Sequence, residues 1–152
     1  MNFDTGRFIL KIAETSEELH AAQRLRYKVF VEEMGANVAD DCHASRMEYD
    51  KFDQDFDHLI LIDSLNRNTA ENVVGVYRLM LNTSVSKNRG FYSSSEYNLD
   101  KLIKADRKIL ELGRSCIDKQ HRGGVALHMM WNGLAQYVID NNVEVLFGLA
   151  SF

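Results

Sequence analysis

The chain has 152 residues, 45% hydrophobic and 26% charged, which suits one ordinary globular domain with a buried core. A net charge of −4 and a pI near 5.7 argue against a general nucleic-acid binder. No apolar run approaches the roughly 18–20 residues of a membrane span, and the acidic start MNFDTGRFILKIAETSEE is unlike a signal peptide, so the chain is expected in the cytoplasm. Cys42 and Cys116 lie far apart without pattern, which favours reduced thiols over a disulfide, and with no zinc-like Cys/His spacing no metal is expected.

In chain order, RFILKIA (7–13) reads as a short strand. Thr15 with Glu18 forms a capping-box signature, and Leu19, Ala22, Leu25 and Val29 recur at helical spacing, predicting a helix over 16–34 that Gly35 stops. Residues 35–57 read as polar and irregular. HLILID (58–63) and VVGVYRLMLN (73–82) predict an antiparallel hairpin with a long loop. Residues 83–107 form a loop with a short helix in SSEYNLDKLIKA, and KILELGRSCID (108–118) is the fourth strand. A helix over 124–140 is expected to bury Leu127, Met130, Trp131, Leu134 and Val138, before a fifth strand, VEVLFGLASF (143–152). That last apolar strand has nothing after it to cover it, so the sequence, one unit over 1–152, reads as a fragment of a longer chain.

Charge is unevenly spread. Residues 32–63 hold ten acids against Arg46 and Lys51, while residues 101–122 hold seven Lys or Arg against three acids. Two unlike ligands, one cationic and one anionic, would suit this asymmetry; so would two solvated surfaces. After Asp118, K-Q-H-R-G-G-V-A leads into a helix, so Gly123 and Gly124 permit close backbone approach and Arg122 adds charge. Such a turn holds phosphate, although a tight strand-to-helix turn also needs glycine for steric reasons.

The order β, α, β, β, β, α, β with this turn resembles the GNAT family of N-acyltransferases, whose turn reads Q/R-x-x-G-x-G/A. His121 takes the first place, Gly124 the fourth and Ala126 the sixth. The resemblance implies an α/β (α+β) GNAT fold, a mixed, mostly antiparallel sheet of about five strands flanked by helices and cut short at its C-terminus. It also implies that His121, Arg122, Gly123, Gly124, Val125 and Ala126 grip the phosphopantetheine of acyl carrier protein or coenzyme A, with no tightly bound cofactor. LRYKVFVEEMGA (25–36), EYDKFD (48–53), VVGVYRL (73–79), ILELGRSC (109–116) and LFGLASF are similar to the hemolysin-like L-ornithine Nα-acyltransferases. That family moves a 3-hydroxyacyl chain from acyl carrier protein to the α-amine of ornithine, giving lyso-ornithine lipid. The implied partners are therefore acyl carrier protein and L-ornithine or another amino-acid amine, and a lipid product implies work at the inner face of the membrane. The marks R-Y-x-V-F, E-Y-D, R-L and E-L-x-R are shared with acyl-homoserine-lactone synthases, so a lactone synthase is one alternative. A catalytically silent acyl-carrier-binding module is another.

Acyl transfer to an amine needs a proton acceptor and donors for the oxyanion. Glu111 is the candidate base and Arg114 its catalytic companion, but strand alternation puts them on opposite faces unless a bulge intervenes at Gly113. Arg26, Phe30 and Glu33, at i, i+4 and i+7, form a second helix face, and its position resembles the functional face of the lactone synthases, which implies a place beside the acceptor. Asp50, Asp53 and Asp57 are candidates for holding its ammonium, and Arg78 for pairing with one of them. Lys101, Lys104, Arg107, Lys108, Lys119 and Arg122 form a candidate docking patch for the acidic carrier. Ser115 and Cys116 lack a partner His or Asp, which argues against a covalent acyl-enzyme.

Overall fold

In the computed structural model, which describes residues 2–149, six strands form one sheet in chain order: β1 Asn2–Asp4, β2 Phe8–Ile12, β3 Asp57–Asp63, β4 Val73–Leu81, β5 Ile109–Ile117 and β6 Val145–Gly148. Neighbours are antiparallel up to β5, and β6 runs parallel to β5. The expected mixed sheet thus gains one strand, β1, which pairs along β2. The fifth expected strand is shorter, and its residues 150–152 lie outside the described residues.

Helices cover both faces. On one side α4, Gly124–Asp140, packs Ala126, Met129, Met130, Leu134 and Tyr137 against Leu10, Leu59, Leu61, Leu79 and Leu110. A Cβ on Gly133 would stand 2.6 Å from Leu10 Cδ2, so this glycine lets the helix sit close and turns its buried face. Leu127 and Trp131, expected in the core, are consequently 48% and 56% exposed, and Val138 is half-buried.

On the other side α1, Ser16–Arg26, begins at the expected capping box and packs Ala21, Ala22 and Leu25 against Ile60, Val76 and Cys116. The predicted single helix does not continue to residue 34 as an α-helix. From Tyr27 to Glu33 it widens into a π-helix, whose i→i+5 bonds rotate every later side chain relative to the α pattern. The segment read as irregular holds α2, Asp40–Ser45, and a short helix, α3, spans Asp100–Ile103. A third cluster, Phe56, Met80, Phe91 and Ile109, closes this face beside β6.

Candidate active site

Strand β5 is broken at one point. Opposite β4, Arg78 faces Gly113 and Val76 faces Cys116, so Arg114 and Ser115 together oppose the single Tyr77. This is the expected bulge, one residue later than expected, with Arg114 in the left-handed region at φ 51°. Its consequence is that Glu111 and Arg114 share a face, both meeting Tyr92. They do not pair with each other. Glu111, 1% exposed, accepts from Tyr92 N (2.8 Å), Ser93 N (2.7 Å) and Ser93 Oγ (2.5 Å), so both of its oxygens are engaged by the 91–95 loop. Arg114 instead donates to Glu48 Oε1 (3.0 Å) and stacks over Tyr92. Burial would lower its pKa, but Glu48 and the Tyr92 hydroxyl outweigh it and keep the guanidinium charged.

Behind Arg114 lies a buried ionic cluster. Arg26 and Arg78 are both 0% exposed; Arg26 donates to Glu48 (2.5 Å) and Asp53 (2.8 Å), and Arg78 to Asp53 (2.7 Å) and Asp50 (2.9 Å). His58 Nε2 lies 3.6 Å from Asp53 and Gln23 donates to its other oxygen. Burial alone would raise the pKa of Asp53, yet the His58 bond and the Arg26 and Arg78 charges hold it far below the usual carboxylate range. Ionised groups this deep persist only when paired, which three guanidiniums and three carboxylates achieve. Among the described residues, Asp50 Oδ2, Arg26 Nη2 and the Nε and Nη2 of Arg78 lack hydrogen-bond partners, and Arg114 Nη2 stands 3.6 Å from that Asp50 oxygen.

The acceptor residues expected from sequence therefore scatter. Arg26, Asp53 and Arg78 are buried and pair with one another, with open donors left at Arg26 Nη2 and the Arg78 edge, and Asp50 is half-buried beside Arg114. Asp57 sits on the opposite face, where it accepts from Tyr137 Oη (2.6 Å). Phe30 lies at the edge of the α1 core, and Glu33 reaches the turn after β5. The widened helix separates these three: Arg26 ends α1 before the change in pitch, whereas Phe30 and Glu33 follow it.

That turn is a second candidate site. Asp118 accepts from Gln120 N (2.9 Å) to start a one-turn helix at Lys119–His121; Gly123 (φ 100°) and Gly124 (φ 48°) then swing the chain into α4. No side chain caps α4, so its first amides point outward with the positive end of the helix dipole. Val125 is exposed there, whereas the Ala126 side chain is in the core. His121, the expected first residue of the phosphate pattern, turns away: its Nε2 meets Asp63 (3.1 Å) and its Nδ1 meets Asp118 (3.3 Å). Arg122 forms a bidentate pair with Glu33 (2.5 and 2.7 Å).

Between turn and cluster, β5 and β6 are paired from Ile109↔Val145 to Leu112↔Gly148, and beside them opens a cleft of about 280 Å³ lined by Tyr77, Leu112–Ser115 and Leu146–Leu149. Burial raises the Tyr77 pKa, keeping its phenol protonated. Cys116 is also buried, its thiol pushed up to about 12, which fits an inert core cysteine. Tyr77, Glu48 and Ser93 were missed as site residues. Alternation in VVGVYRL gives Tyr77 the face opposite Arg78, a usable signal, whereas nothing local marks Ser93 as the partner of Glu111.

This sheet, its bulged strand and the glycine turn opening a helix are the features of an acyl-group-transferring fold, and the Acetyltransferase (GNAT) domain profile matches residues 25–132. The chain belongs to the GNAT family. Its relatives include proteins named L-ornithine N(alpha)-acyltransferase from Rhodobacter capsulatus, 44% identical over 94% of this chain and 56% of the relative, and from Brucella abortus, 37% identical over 97% and 53%. The chain thus spans about half the length of these curated relatives. Among solved structures it is similar in fold to the AHL synthase LasI (TM-score 0.62, 20% identity, 94% of this chain and 72% of that one). It is likewise similar to FeeM, an N-acyl amino acid synthase from uncultured soil microbes (TM-score 0.64, 17% identity, 93% and 70%).

Proposed function

We propose that this chain carries the catalytic core of an N-acyltransferase that moves a (3-hydroxy)acyl group from acyl carrier protein to the α-amine of L-ornithine, giving a lyso-ornithine lipid at the inner membrane face. The observation that carries this reading is the succession along β5 of the cleft at Leu112–Ser115 and the uncapped α4 N-terminus six residues beyond Asp118. Together they suit a phosphopantetheine thioester: phosphate on the amides of Gly124, Val125 and Ala126, the arm in the cleft, and the carbonyl near Arg114. Coenzyme A and acyl carrier protein present the same arm. The choice of ornithine is supported by the names of the relatives.

In the reaction the neutral amine attacks the thioester carbon, charge gathers on the carbonyl oxygen, and the C–S bond breaks with its electron pair on sulfur. Arg114 stabilises the oxygen, and Tyr77 gives its proton to the departing sulfur. Asp50, half-buried beside Arg114, holds the acceptor's ammonium, and the attacking nitrogen loses its proton to water. Glu111 acts as a positioning residue, because its oxygens are committed to Tyr92 and Ser93. The test supplies 3-hydroxyacyl carrier protein with ornithine, lysine, glycine or S-adenosylmethionine and follows free thiol. Release dependent on ornithine is expected. Release only with S-adenosylmethionine would make the protein a lactone synthase, and carrier binding without release would leave a binding module.

A further inference from the structure

Glu33 stands apart from the buried cluster of Arg26, Asp53 and Arg78, and its surroundings suit another role. The π-helix brings residues five apart onto one side, so Lys28 and Glu33 both reach the turn after β5: Lys28 pairs with Asp118, and Glu33 with Arg122. Arg122 is thereby engaged at each of its three nitrogens, both terminal ones on Glu33 and Nε on the Ile117 carbonyl (3.0 Å). The bond to Arg122 lowers the Glu33 pKa, so a full negative charge stands beside the open end of α4. Both partners are part-exposed, and such pairs add little to stability. A carboxylate that contributes little to the fold, yet holds the guanidinium two residues before the open end of α4, acts on the ligand.

We propose that Glu33 is a resident competitor for Arg122: it occupies the guanidinium in the free protein, and the donor's phosphate displaces it. Glu33 then sets how strongly anionic a donor must be to bind. The inference rests on the donor-turn reading above. Titration calorimetry with phosphopantetheine and pantetheine, which differ by the phosphate alone, tests it on the wild type, Glu33→Gln and Arg122→Gln. Glu33→Gln should bind phosphopantetheine about 3- to 10-fold more tightly at low salt, as expected for removing one like charge beside the phosphate. The gain should shrink toward nothing near 1 M salt, and pantetheine binding should not change. Arg122→Gln should bind phosphopantetheine more weakly. Equal or weaker binding by Glu33→Gln, with or without a fall in melting temperature, would make the pair a mere staple and overturn the inference while leaving the turn as the phosphate site. If the wild type binds phosphopantetheine no better than pantetheine, or binds neither, the donor-turn reading fails and the inference with it.

Discussion

At the scale of single residues, the charged groups divide into those that hold the site and those that face it. Glu111 belongs to the first kind, with three donors on a buried carboxylate. Glu111→Gln should lower stability by about 1.5–3 kcal/mol, read from the urea midpoint, because bonds to a charged acceptor weaken and one oxygen becomes a donor facing donors. A variant of unchanged stability and abolished turnover would restore Glu111 as the base. Asp53 makes a pH-dependent contribution. Its folded pKa lies below the unfolded value of about 3.9, so its pairing stabilises the protein fully above about pH 5 and is lost as the pH falls through 3.9 toward the folded value. Asp53→Asn should cost about 3–5 kcal/mol at pH 7 by leaving Arg26 and Arg78 short of a partner. The gap to wild type should narrow progressively below pH 4 in melts run across that range; a constant gap would show that the charge is not the cause.

At the scale of elements, two departures from regular geometry shape the candidate site. The bulge at Arg114 and Ser115 reverses the alternation of β5, and the π-helix redirects Glu33. Both are backbone events, and an ideal wheel or pleat drawn on the sequence misplaces the side chains that follow them. The pairing that bounds the cleft is equally tight. A Cβ on Gly148 would stand 2.4 Å from the Leu112 carbonyl oxygen, a backbone atom that cannot yield as a side chain can. Gly148→Ala should therefore part β6 from β5, with a loss of about 1–3 kcal/mol and faster amide exchange in both strands near this pair. Unchanged exchange there would mean that the strands tolerate the added methyl group.

At the scale of the whole molecule, the charge asymmetry takes a different meaning. The acid-rich segment spends its carboxylates internally: Glu48, Asp50 and Asp53 on three buried or half-buried arginines, Asp55 on Arg89, and Asp63 on Arg7 and His121. The basic stretch is divided by β5 itself. Lys101, Lys104, Arg107 and Lys108 precede the strand and Lys119 and Arg122 follow it, about 30 Å away at roughly 3.3 Å per residue. One carrier-docking patch cannot be built from both ends. Carrier docking at the α4 turn predicts that Lys119→Glu raises the Michaelis constant for the carrier-bound donor, whereas Lys104→Glu with Arg107→Glu leaves it unchanged. The reverse pattern in steady-state kinetics would place the carrier at the other end of the strand.

Local pattern determined most of the elements, because apolar periodicity and capping act over a few residues: β2 to β5, the Thr15 cap and the glycines before α4 are all readable in the chain. The bulge was also legible, since alternation alone gave Glu111 and Arg114 incompatible faces. Tertiary structure alone decided partners. That Glu111 meets Ser93, that Glu33 meets Arg122 and that Asp57 meets Tyr137 depends on contacts between residues 18, 89 and 80 positions apart. No local rule reaches across such separations, because which charge finds which is settled only when the sheet and its two helical layers bring them together.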